Sequence, residues 1–175
     1  MSITDPRDRF DDLHVVRNER TVDAATLAEL GEYEAFRSGW VATAITLDER
    51  DRILLAYDGD DEQWVVPGGT IQSGESLREG VVREVREETG VTVTPERPRA
   101  VCDVVRTDAD DSRSFRVVAF SATATDAEVG TDLGVDDENI ERAAWFDELP
   151  EKTFDREFAD AVLNQIREPR NPAKL

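Results

Sequence analysis

Lysine is almost missing from this chain. Two residues, Lys152 and Lys174, stand beside nineteen arginines, and the 21 basic residues face 40 Asp and Glu for a net charge of −19. A surface so short of positive charge repels polyanions, which argues against an extended nucleic-acid footprint. Cysteine occurs once, as Cys102, and histidine once, as His14. Neither an internal disulfide nor a Cys/His zinc site is available from such a set. Cys102 lies in an apolar run and reads as a small core residue. No stretch approaches the roughly 20 apolar residues that span a bilayer, and the opening MSITDPRDRF lacks an apolar signal segment. A soluble cytoplasmic protein is expected.

What is present suffices for one domain, since 175 residues bury a core of ordinary size. An acid excess with arginine in place of lysine is the pattern of a halophile's protein. Such a surface keeps a chain soluble in concentrated salt, where repulsion is screened within about 3 Å at 1 M.

Residues 1 to 37 are polar, with Ala24, Ala25, Leu27, Ala28, Leu30, Tyr33 and Phe36 spaced for a helical stretch that covers the domain or meets a partner. Val41 to Leu47 alternates as a half-buried strand does and turns at 48–51 into Ile53–Tyr57, predicting a hairpin. A solvated loop, DGDDE, precedes the strand Trp64-Val65-Val66. Val91 and Val93 read as a short strand. Pro95 and Pro98 mark a connection to a further strand over Ala100–Arg106, and the charged turn DADDSR leads to another over Ser114–Ala124. Residues 125 to 141, rich in Gly and acids, are expected as a loop over a site. Ala143–Phe146 reads as a last strand. Phe154–Ile166 then forms an amphipathic helix with Phe158, Ala161, Val162 and Ile166 on one side, and EPRNPAKL is a loose tail.

The most informative stretch is Gly69 to Val91, GTIQSGESLREGVVREVREETGV. Ser76 followed by Glu79 is a capping box, and Gly90 is placed to stop the helix that starts there. Leu77, Val81 and Val85 form its apolar stripe. Glu84, Glu87 and Glu88 lie together beside that stripe. Like charges at these spacings cost a few tenths of a kcal/mol per exposed pair, and a hard cation reverses the sign. Magnesium and manganese take carboxylate and carbonyl oxygens and bridge to phosphates. Pro67, Gly68 and Gly69 make a permissive turn ahead of the helix that is able to aim a carbonyl at such an ion. Glu75 and Arg83 are spaced as a charge pair bracing loop against helix. An acidic helix with a purely solvated face is the alternative, but it leaves the flanking glycines and Arg83 unexplained.

Taken as a pattern, G-x5-E-x7-R-E-U-x-E-E-x-G-U with U aliphatic, this segment resembles the Nudix hydrolase signature without a substitution. The Trp145-Phe146 strand and the acidic-Leu-Pro turn after it are also similar to the family's ending. The resemblance covers about residues 40 to 168. It implies a Nudix domain over 39–168, preceded by a partly helical N-terminal extension over 1–38 and followed by a tail over 169–175. The implied fold is α/β, an α/β/α sandwich around a mixed sheet. The implied reaction is Mg²⁺- or Mn²⁺-dependent hydrolysis of a nucleoside diphosphate linked to another group, on a small phosphorylated nucleotide. The match carries metal-ligand roles onto Glu84, Glu87 and Glu88, with the Gly69 carbonyl as a further ligand. Glu84 and Glu87 are the catalytic candidates within the signature, and Glu75 and Arg83 are supporting residues. A base drawn from outside it could be Glu128, Asp136, Asp137, Glu138 or Glu141.

Substrate choice lies with other loops. The marks that some subfamilies carry after the signature are missing: the proline associated with ADP-ribose is replaced by Val105-Arg106-Thr107, and neither the tyrosine of dinucleoside polyphosphate hydrolases nor the array of NADH pyrophosphatases is present. Arg106 and Arg116, with Arg113, are candidate phosphate partners, and Trp64, Phe36 and Tyr33 are candidates to stack on a base. The alternative function is a Nudix-fold module that senses nucleotides or binds a partner without turnover, against which the intact acid set argues. Isoprenoid diphosphate isomerisation would call for a catalytic cysteine and has only Cys102. A homodimer through the Ala/Leu-rich N-terminal stretch is a further expectation.

Overall fold

The computed structural model describes residues 3–135 and 138–168. Its elements are β1 (His14–Thr21), α1 (Ala24–Leu30), α2 (Glu34–Ser38), β2 (Trp40–Leu47), β3 (Ile53–Asp58), β4 (Gln63–Val65), β5 (Gly68–Thr70), α3 (Leu77–Thr89), β6 (Val93–Thr107), β7 (Ser112–Ala124), β8 (Ile140–Phe146) and α4 (Arg156–Arg167). All eight strands join one mixed sheet in the order β1-β6-β7-β2-β3-β4, with β5 on β2 and β8 on β3.

Alternation along the strands divides the core into two layers. Ala42, Ala44, Leu54, Val101, Val118 and Phe120 face α3 and meet its Leu77, Val81 and Val85. Ile45, Ile53, Leu55, Ala100 and Ala119 face the other way, onto Ala159, Val162 and Leu163 of α4. Both faces of the sheet are thereby covered, which makes the α/β/α sandwich. Each fully buried aliphatic side chain contributes about 1.5–3 kcal/mol.

α3 forms as its local chemistry dictates. The Ser76 side chain accepts from the Glu79 N–H, the Glu79 carboxylate accepts from the Ser76 N–H, and Gly90 ends the helix at φ 74°. The predicted N-terminal helix is interrupted at Gly31 into α1 and α2. The Asp23 side chain caps α1 by accepting from the Thr26 N–H at 2.8 Å.

Three features depart from the sequence pattern. β1, parallel to β6, is a strand where the sequence suggests only polar chain, because an edge strand can leave most side chains exposed and carry no apolar alternation. β6 runs unbroken past Pro95 and Pro98, which sit at irregularities in its pairing with β7 that accommodate the missing N–H groups. The β2–β3 hairpin has one register pair, Leu47 with Ile53, beyond which β2 pairs with β5 and β7 and β3 with β4 and β8. The expected tail, with Asp136 and Asp137, lies outside the described residues. No helix among the described residues is long and apolar enough to cross a membrane.

Candidate functional site

The site begins where β5 pairs antiparallel with β2, Gly68 opposite Thr43 and Gly69 opposite Ala42. Gly68 lies so close to this strand that a Cβ would sit 2.3 Å from the Ala42 carbonyl oxygen, and its φ is 153°. Only glycine fits there. This approach aims the Gly68 N–H at α3, where it donates to Glu88 Oε2 at 3.0 Å. At Gly69 a Cβ would lie 2.6 Å from the Glu84 carboxyl, so this glycine leaves the space that Glu84 fills.

Arg83 organises the acids around it. It donates from Nε to Glu75 Oε1 at 2.8 Å and from Nη2 to Glu75 Oε2 at 3.0 Å. Nη1 donates to Glu84 at 2.8 Å and to Glu87 at 3.0 Å, and Nη2 also reaches the Thr70 carbonyl. The fork locks loop, helix start and acid cluster into one unit.

Glu84, Glu88 and Glu138 present carboxylate oxygens within 4.8 Å of one another. Glu84 and Glu88 are buried, 4% and 5% exposed. Burial pushes the Glu84 carboxyl up to about 7 against the pull of Arg83, with the charges of Glu138 and Glu87 adding to the rise. Burial likewise raises Glu88 well above the usual range, opposed by the Gly68 N–H. Glu138 is raised by burial and by Glu87. Glu75, in contrast, is held low by its hydrogen bonds to Arg83. Glu84 Oε2 is buried with no hydrogen-bond partner. Three clustered carboxylates and an orphaned oxygen are costly as an isolated arrangement and suit a hard divalent cation.

The sequence groups Glu84, Glu87 and Glu88 on spacing. The structure brings Glu84 and Glu88 to Glu138 and leaves the Glu87 carboxylate on Arg83, beside an open groove with Arg86 and Asp132. Glu138 arrives from the loop before β8. Of the other candidate acids, Glu128 is exposed and Glu141, which lies on β8 rather than in the loop, pairs with Arg142.

A cleft of about 550 Å³ opens from Gly68, Glu88 and Glu138 across the α4 side of the sheet. Its walls include Val41, Val104, Phe115, Val117, Phe154 and Phe158, and Asn18 and Arg106 also line it. Arg116 is absent from that lining: it faces the opposite side, 3.3 Å from Asp103 and 3.5 Å from Asp5, over the Trp40 ring. Arg113 donates to the Leu27 carbonyl. Trp64 packs between Tyr57 and Phe146, while Phe36 meets Phe115 edge-on. Cys102 is buried in the cleft floor. Asn18 and Phe154 line the cleft without a sequence signal that would have singled them out. The nearest to one is the position of Phe154, an exposed aromatic just ahead of an amphipathic helix.

Comparison with known proteins adds to this geometry. A family model described as "NUDIX domain" matches residues 37–162. An uncharacterised Nudix hydrolase of Bacillus subtilis is 38% identical over 85 residues, covering 46% of this chain and 54% of that protein. An 8-oxo-dGDP phosphatase of Homo sapiens is 30% identical over 110 residues, covering 61% of this chain and 32% of that protein. The chain thus spans about half and about a third of the length of these two relatives. The crystal structure of a MutT protein from Bacillus halodurans superposes with a TM-score of 0.52 at 30% identity, covering 71% of this chain and 81% of that one.

Proposed function

Since this chain belongs to the NUDIX family, we propose that it hydrolyses the diphosphate linkage of a small nucleotide, a nucleoside diphosphate joined to another group, with the help of a divalent cation. The observation that carries this is the convergence of Glu84, Glu88 and Glu138 at the mouth of an apolar-walled cleft. Glu84 and Glu88 would hold magnesium or manganese, with the Gly69 carbonyl and Glu87 as further ligands from the same signature. Such an ion would supply charge neutralisation at the diphosphate and would lower the pKa of the attacking water.

The chain's own residues do the rest. Gly68 fixes Glu88 through its N–H, and Arg83 orients Glu84 and Glu87 while its bonds to Glu75 keep the loop in place. Glu138, exposed and on a loop, is positioned to take the proton from the attacking water, and Glu84 is the other candidate for that role. The apolar walls exclude water beside the acids and offer a surface for a base.

The test is phosphate and nucleotide release from a panel of dNTPs, 8-oxo-dGDP, nucleotide sugars, ADP-ribose, NADH and dinucleoside polyphosphates, in molar KCl with magnesium or manganese. One preferred substrate is expected, with turnover cut about 100-fold or more by Glu88→Gln. Wild-type turnover in a folded Glu88→Gln protein would overturn the assignment, and so would no turnover of any substrate by protein that binds the cation.

A further inference from the structure

β1 stands at one end of the sheet. It pairs with β6 along one edge, and no strand among the described residues pairs with its other edge. The segments on either side of it fold back over the sheet. Before β1, Arg7 reaches Asp103 of β6, and after it the Leu27 carbonyl of α1 accepts from Arg113 of β7. The Ala/Leu-rich stretch thereby uses its larger apolar side chains within the chain, with Leu27 buried and Phe36 on Phe115.

One hydrogen bond fixes which backbone groups of β1 face outward. The Val22 N–H donates to the Thr107 carbonyl at 2.8 Å, in step with the pairing of Thr21 and Thr107. The N–H and C=O of a strand residue point the same way, and the direction alternates along the strand. Val16, Asn18 and Arg20 therefore turn theirs to β6, whereas Val15, Arg17, Glu19 and Thr21 turn theirs away from it. Those four residues are exposed, Val15 by 52%.

Charge and register both fit a second copy of this chain. HVVRNERT holds two arginines and one glutamate, a net positive stretch in a chain of net charge −19. Two copies related by a two-fold axis pair antiparallel, and only outward-facing residues can share hydrogen bonds across the new edge. An axis at Arg17 sets that arginine against its own copy, and an axis at Glu19 does the same to the glutamate. An axis at Asn18 instead sets Arg17 opposite the partner's Glu19, Glu19 opposite the partner's Arg17, and Val15 opposite the partner's Thr21. Within the strand Arg17 Nε already donates to Glu19 Oε2 at 2.8 Å, so both side chains lie on one face and would join a ladder of four alternating charges. Charges on an edge commonly guard it against pairing, and here they leave one register open.

We propose that β1 is a dimerisation edge, which pairs antiparallel with β1 of a second copy about a two-fold axis at Asn18 and joins the two sheets into one. The clefts of both copies then open on the same side of the joined sheet, with their Asn18 ends side by side. An eight-residue edge buries less than the roughly 800 Å² per partner of a standard interface, so the dimer is reversible and concentration-dependent. The proposal is independent of the hydrolytic function.

Sedimentation velocity of the full chain across a wide range of concentration tests it. Molar KCl is used, because it screens repulsion between two copies of charge −19 beyond about 3 Å and spares side chains in contact. Wild type is expected to pass from monomer to dimer as concentration rises. Arg17→Glu and Glu19→Arg each set like charges opposite one another at two symmetric places, and each is expected to weaken the dimer about 5-fold or more. An equimolar mixture of these two variants regains the opposite-charge pairs and is expected to dimerise as wild type does. Arg17→Pro removes an outward N–H that β6 does not use, so it should keep the fold, read by circular dichroism, and abolish the dimer. In a Cys102→Ala background, Asn18→Cys meets its own copy on the axis at a Cα spacing of about 4.5 Å and should crosslink on oxidation, whereas Arg17→Cys should not. A monomer at every concentration refutes the proposal, and so does a dimer that survives Arg17→Pro or crosslinks at Arg17→Cys in place of Asn18→Cys. If Arg17→Pro unfolds, the mixture decides: two variants that stay monomeric together overturn the pairing of Arg17 with Glu19.

Discussion

Replacing Glu84 with glutamine should stabilise the cation-free protein at alkaline pH, although it removes a member of the acid cluster. The Glu84 carboxyl titrates at about 7 in the fold, against an ordinary value of 4.5. A carboxyl raised on folding binds its proton more tightly in the native state. Its contribution is therefore fully present below about 4.5 and is lost as pH rises through about 7. At 1.36 kcal/mol per pH unit, the ionised group costs the fold about 3 kcal/mol at pH 8. Glutamine has nearly the same shape. Its carbonyl still accepts from Arg83, and its amide faces Glu88 and Glu138, whose oxygens lie within 4.8 Å of those of Glu84. Part of the gain is offset because Arg83 loses one of its three carboxylates. A net gain of about 1–3 kcal/mol remains, which at about 2–4 °C per kcal/mol for a chain of this size raises the melting temperature by about 3–10 °C.

Thermal unfolding followed by circular dichroism, in chelator and molar KCl, reads this directly. The gap between variant and wild type should be present at pH 8 and nearly gone at pH 5, where wild-type Glu84 carries its proton. Magnesium should raise the wild type more than the variant and narrow the gap. A Glu84→Gln protein that melts below wild type at pH 8 in chelator would refute the reasoning, because the cluster would then be stabilising without its cation.

Two other outcomes follow from the same geometry. Gly68→Ala places a Cβ against the Ala42 carbonyl and 2.5 Å from Thr43 Cα, both backbone. It should cost about 3 kcal/mol or more in urea unfolding and weaken manganese binding as Glu88 loses its donor, so a variant with wild-type unfolding would exclude the close approach of β5 to β2. The net charge of −19 predicts a melting temperature that climbs between dilute buffer and molar KCl as repulsion is screened, and an unchanged value would sink the link between acidity and salt.

The parts of this protein that are legible in its sequence are those whose partners lie within one turn of helix. Ser76 and Glu79 cap α3 by hydrogen bonds three residues apart, and the stripe of Leu77, Val81 and Val85 follows from 3.6-residue periodicity. The same spacing places Glu84 and Glu88 one turn apart on a single face. Gly68 and Gly69 are visible as a turn, though the strand they admit and the carboxylate they make room for are not. Pairing between strands runs through backbone groups that every residue shares, so nothing in HVVRNERT marks it as the parallel neighbour of β6. For the same reason Pro95 and Pro98 read as a break, although two bulges carry β6 past them. Arg106 and Arg116 look alike in the chain, and the phase of two neighbouring strands sends one into the cleft and the other onto Asp5 and Asp103. Glu138 and Asn18 are polar residues on a loop and on an exposed strand. They come to the two ends of one cleft because the sheet order folds segments 120 residues apart onto the same face, a distance at which local spacing carries no information.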